Sequence, residues 1–248
     1  MGRKRSYGLV PRRVRKYWWM MFESIKLINL EYFAQHGAVN SVLLRRIDMN
    51  RAFFKGFISR PIKRLNLGMF ISMIESCSIW NGDLMKFTRD NITRTVQAET
   101  QLDNFLRLNP EISRQVGQVD KFSAKFFISS EVKALAVFGR NLQSIKQLEI
   151  QKSSFLEKVA GLLHECKSEL QTLDNFSRAS PLAATPDYSD FVSSAFFSLE
   201  QKLDECSAKL TIFNNICREQ KPILKQLTAL AIMPVPVKVP GRMSLSPA

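Results

Sequence analysis

The chain is 248 residues long, ordinary in apolar content and strongly basic, with a formal charge of +14. This composition excludes wholesale disorder, and no run approaches the roughly 18–20 uninterrupted apolar residues a membrane span needs. Cys77, Cys166, Cys206 and Cys217 form no CxxC pair, and the only histidines are His36 and His164, so no metal-ligand spacing is present.

The charge is unevenly placed. Residues 1–66 hold 15 of the 36 basic residues and 3 of the 22 acidic ones, Glu23, Glu31 and Asp48. The remaining chain, 21 basic against 19 acidic, is close to neutral. Any polyanion contact therefore rests on the first segment. Gly2-Arg-Lys-Arg-Ser-Tyr and Pro11-Arg-Arg-Val-Arg-Lys-Tyr-Trp-Trp supply the candidate contacts Arg3, Lys4, Arg5, Arg12, Arg13, Arg15 and Lys16, with aromatics available for stacking. Two other readings stand beside this one: a mitochondrial presequence, since acids are absent before Glu23, and a poorly structured accessory extension over 1–66. The extension is the reading adopted. The basic start lacks the apolar core and small-residue cleavage site of a secretory signal. Reduced thiols in the cytosol or nucleus follow as the default.

A helical segment is predicted over 67–132. Asn81-Gly82-Asp83 reads as a turn whose Asp83 caps a helix over about 84–108. Asn109-Pro110-Glu111 then marks a break and a restart, with Asn109 as cap and Pro110 in the first turn. Ile112, Val116, Val119, Phe122 and Phe126 follow at helical spacing.

The clearest pattern runs over 133–231. Steps of three and four from Leu135 give Phe138, Leu142, Ile145, Glu149, Lys152, Leu156, Val159, Leu163, Cys166, Leu170 and Leu173. Such a heptad seam needs a partner helix. Glu149 and Lys152 interrupt it, a polar pair of the kind that sets register or marks a kink. A Pro/Ser/Ala linker occupies 177–186, after which Thr185 and Pro186 open another helix. Its seam is Val192, Phe196, Leu199, Leu203, Cys206, Leu210, Phe213, Cys217, Gln220, Leu224, Leu227 and Ala231, with a kink expected near 218–222 from Pro222. Two seams of matched length predict an antiparallel coiled-coil hairpin, covered by itself or by other chains. Phe155, Phe176 and Phe197 lie off the seams and need a third surface. The tail 232–248 is apolar and proline-rich, with Ile232 and Met233 as docking residues of an extended segment.

The expected fold is thus all-α: long helices forming a coiled-coil hairpin, elongated, with an extended tail. The seam leucines and phenylalanines above, Val159, Ile145, Ile232 and Met233 are the expected partner-binding residues. No phosphate loop, cofactor motif or nucleophile-base pair is present, so no enzyme, cofactor or metal is expected. His164 near Cys166 invites a catalytic reading, but a seam cysteine acts as a small apolar residue.

Several short motifs, in order, resemble subunit 2 of the augmin (HAUS) complex. They are Asp120-Lys-Phe-Ser-Ala-Lys-Phe-Phe, the long heptad helix, Pro186-Asp-Tyr-Ser-Asp-Phe-Val, and Ile232-Met-Pro-Val-Pro-Val. The resemblance covers about residues 70–240, and Val235 displaces the second proline of the family's tail. It implies a non-enzymatic subunit of an eight-protein helical assembly that binds microtubules. That assembly recruits the γ-tubulin ring complex so that new microtubules branch in the spindle. Helical partner subunits, no membrane, and a cytoplasmic, cytoskeletal, spindle or centrosomal location are implied with it. Alternatives are another kinetochore or centrosome scaffold, and a nucleic-acid- or ribosome-associated protein acting through 1–66.

Overall fold

The computed structural model describes residues 30–58, 67–119, 130–179 and 186–232. They form five helices: α1 (Leu30–Ile58), α2 (Leu67–Leu108), α3 (Pro110–Gln118), α4 (Ser130–Ala179) and α5 (Pro186–Ile232). Among the described residues there is no strand, which agrees with the all-α expectation. No helix among them is long and apolar enough to cross a membrane.

The four long helices pack in a ring, α1 on α2, α2 on α4, α4 on α5 and α5 back on α1. Cross-helix contacts fix every neighbouring pair as antiparallel. Asn81 Nδ2 donates to the Leu156 carbonyl (3.0 Å), while Lys146 meets Glu99 (2.6 Å) further along the same pair. Between α4 and α5, Lys152 meets Gln220 (3.0 Å), and Lys202 meets Glu169 (2.8 Å). Between α1 and α5, Asn40 Nδ2 donates to Asn214 Oδ1 (2.5 Å), and Phe54 stacks against Phe196 (5.4 Å).

The seam residues of α4, from Leu135 to Leu173, are all buried. So are Val192, Phe196, Leu199, Leu203, Cys206, Leu210, Phe213, Gln220, Leu224 and Leu227 of α5. Cys217 is half-buried, and its place in the core is taken by Ile216. The interior divides into two apolar clusters. The first joins Leu43, Ile47 and Phe54 of α1 with α2 from Leu67 to Leu84, α4 from Leu156 to Leu173 and α5 from Val192 to Phe213. The second joins Ala98, Leu102 and Phe105 of α2 with α4 from Leu135 to Ile145 and Leu224 and Leu227 of α5; Ile112 and Val116 of α3 pack on it.

Four expectations need correction. Residues 30–58 of the supposed poorly structured extension form α1, which packs on the body. Its inward positions His36, Asn40, Leu43, Ile47, Asn50 and Phe54 follow heptad steps, but half of them are polar, so no apolar periodicity advertises the helix. Asn81-Gly82-Asp83 is not a turn but the interior of α2. Asn81 is a buried seam residue bonded across to α4, and this tertiary contact overrides local turn propensity. Asn109 does not cap α3: its side chain donates back to the Phe105 carbonyl (2.8 Å) at the end of α2, while Pro110 does open α3. The linker starts later than 177, because α4 continues to Ala179.

Pro222 lies within α5 on its exposed side, and the helix continues past it to Ile232. Phe176 and Phe191, both partly exposed, stack at 5.2 Å between the end of α4 and the start of α5. Phe197 remains 53% exposed. Thr185, Val235, Met233 and the Asp120–Phe127 motif lie outside the described residues.

Candidate functional site

The two apolar clusters are separated by a buried polar layer. Heptad spacing places Thr88, Asn91 and Thr95 of α2 between Leu84 of one cluster and Ala98 of the other. Glu149 and Lys152 occupy the matching stretch of α4 between Ile145 and Leu156, and Gln220 that of α5. His36 and Asn40 reach the same level from α1, and all eight side chains are within 1% of full burial.

At its centre is a closed triangle. Lys152 Nζ donates to Glu149 Oε1 (2.6 Å) and to Gln220 Oε1 (3.0 Å), and Gln220 Nε2 donates to Glu149 Oε1 (2.9 Å). The Lys152 ammonium also lies 5.2 Å from the centre of the Phe213 ring. Each charge thereby has an opposite charge and a neutral amide, which offsets part of the desolvation that a buried ion pair costs. Thr88 and Thr95 return their hydroxyls to the Leu84 and Asn91 carbonyls (2.9 and 2.8 Å). Both amide atoms of Asn91, together with Glu149 Oε2, Asn40 Oδ1 and Asn81 Oδ1, have no hydrogen-bond partner among the described residues. Each such group carries about 1–3 kcal/mol of desolvation cost, so the layer is not selected for stability alone.

The environment suppresses acid–base and thiol chemistry. Burial, helped by the Lys152 charge, pushes the His36 imidazole down to about 3, so it is neutral across the physiological range. Burial raises the thiols of Cys77 to about 11 and Cys166 to about 12, and raises Cys206 and Cys217 as well. Reactive cysteines need the opposite shift. His164 is exposed whereas Cys166 is buried on the seam, so the two do not form a pair. Among the described residues no group of three or more His, Cys, Asp or Glu is arranged to hold a metal ion.

What this arrangement can do is specify pairing. A heptad slip between α4 and α5 would part Gln220 from Glu149 and Lys152 and set the buried ion pair against leucines without its amide partner. Of the layer, the sequence seams contain Glu149, Lys152 and Gln220, and only Glu149 and Lys152 stand out there as an interruption. The residues on α1 and α2 were legible only by carrying the three-four spacing through polar positions. The expected seam residues are brought together within this chain, closed by its own helices. Ile232 is the last described residue, and Met233 and the basic residues Arg3 to Lys16 lie outside the described range. No protein family, no curated protein and no solved structure matches the chain.

Proposed function

We propose that this chain is a non-enzymatic structural subunit of the augmin complex. In this reading α4 and α5 act as a coiled-coil hairpin of a larger helical assembly. That assembly binds microtubules and recruits the γ-tubulin ring complex for microtubule-dependent nucleation in the spindle. The observation that carries the reading is the ordered set of motifs from Asp120 to Val237 around two long heptad helices. The polar layer supports it, because a subunit among many coiled coils needs a device that fixes its own register. Since the seams are closed by helices of this chain, partner subunits would engage its outer faces and the Ile232–Val239 tail.

Affinity purification from mitotic cells tests the proposal. Recovery of augmin subunits and γ-tubulin is expected, and their absence overturns it. A second reading rests on the basic excess of residues 1–66: contact with RNA or DNA. It requires steeply salt-dependent binding that is lost when the residues before α1 are deleted.

A further inference from the structure

Among the described residues, an apolar strip lies uncovered where α1 runs beside α2. Val42, Met49 and Phe53 of α1 are 39%, 50% and 45% exposed, and Met69 of α2 is 46% exposed. Met73 and Trp80 of α2 are half-buried and pack on the first core cluster, forming the floor. The antiparallel register is fixed in the middle, where Arg46 Nη1 donates to Ser76 Oγ (2.6 Å) and its guanidinium lies 5.6 Å from the centre of the Trp80 ring. From that anchor, Val42 falls level with Trp80, Met49 with Met73, and Phe53 with Met69. Spacings of seven and four along α1 make a strip roughly 17 Å long, about three helical turns.

Electrostatics identify the occupant. Arg45 and Arg46 sit between Val42 and Met49 on the helix surface, and neither makes an ion pair among the described residues. Of the nearby carboxylates, Asp204 pairs with Arg51 and Glu75 with Lys167 (2.8 Å), while Asp48 keeps its charge but is held toward α5, where it accepts from Ser207 (2.9 Å). The strip is therefore apolar with a positive centre.

Two occupants fit badly. Residues 1–29 carry eight basic residues against Glu23, and 233–248 carry Lys238 and Arg242 with no acid, so the chain's own ends repel it. A second copy seated face to face would set Arg45 and Arg46 against themselves near the two-fold axis.

We propose that the α1–α2 strip is a docking groove for an acidic amphipathic helix of another protein. The helix presents three apolar residues at i, i+7 and i+11 to Val42, Met49 and Phe53, and carboxylates to Arg45 and Arg46. This mode needs only side-chain anchors on a preformed groove. It stands independently of the augmin reading.

The test uses the full chain and two fluorescent peptides about four turns long, with identical leucine anchors and flanks of either Glu or Lys. Anisotropy should show saturable binding of the Glu peptide, about tenfold or more tighter than the Lys peptide, and weakening as salt rises. Met49→Asp, an exposed substitution, should abolish binding with unchanged helical content and melting temperature. Arg45→Glu should narrow or reverse the preference between the peptides. Equal affinity for both peptides, no binding of the Glu peptide at millimolar concentration, or retention of its affinity by Met49→Asp overturns the proposal. So does sedimentation showing a dimer that Met49→Asp dissociates.

Discussion

Glu149 and Lys152 stand one turn apart on α4, both fully buried, with the ammonium 2.6 Å from the carboxylate. Gln220 of α5 bonds to both, so an ion pair local to one helix becomes a joint between two. Removing one partner strands the other charge. Lys152→Met is expected to lower unfolding free energy by about 3–5 kcal/mol in urea titrations. The triple variant Glu149→Leu, Lys152→Leu, Gln220→Leu should regain that loss or exceed the parent, while losing a single register, seen as broadened amide resonances. A stable Lys152→Met would show the triangle to be energetically idle.

Gly82 of α2 and Gly139 of α4 should respond differently to the same substitution. A Cβ at Gly82 meets nothing within 4 Å, so Gly82→Ala should stabilise the chain by about 1 kcal/mol through helix propensity. A Cβ at Gly139 meets Leu102 Cδ2 at 3.2 Å, where α4 and α2 approach closely. Gly139→Ala should therefore gain less than Gly82→Ala, or lose stability. Thermal melts of the two variants decide it.

Acid stability follows from His36. Its pKa is about 3 in the fold against an ordinary 6.5, so the unfolded chain binds the proton more readily. The stability this provides is complete above about pH 6.5 and is lost as pH falls from there toward 3. His36→Phe, a change of similar shape beside Phe87, should flatten the part of the pH–stability curve between pH 6 and 4. An unchanged slope would place the acid sensitivity elsewhere.

The thiols offer a readout of core opening. Cys77, Cys166 and Cys206 are buried with raised pKa values, and Cys217 is half-buried. Alkylation followed by peptide mass spectrometry should label Cys217 first. The other three should react only at the rate of opening, faster in mild urea. Early labelling of Cys166 would contradict the closed core.

Much of α4 and α5 was legible in the sequence because their seams are mostly apolar. A three-four spacing of leucines and phenylalanines is a local property that survives without knowledge of the partner. The Asn109-Pro110 restart was legible for a similar reason, since Pro constrains its own backbone. α1 was not, and neither was the continuity of α2 through Asn81. At Asn40, Asn50, Asn81 and Asn91 the inward residue is polar, and polarity read locally means surface or turn.

The sequence by itself determined that this is a helical chain with two long apolar seams, one of them interrupted at Glu149 and Lys152. Only the tertiary structure decided what covers those seams and that the interruption extends across four helices. The physical reason is that apolar burial is written in each helix separately. Burial of a polar group depends on what reaches it from the other helices, as Gln220 reaches Lys152 and as the Leu156 carbonyl reaches Asn81.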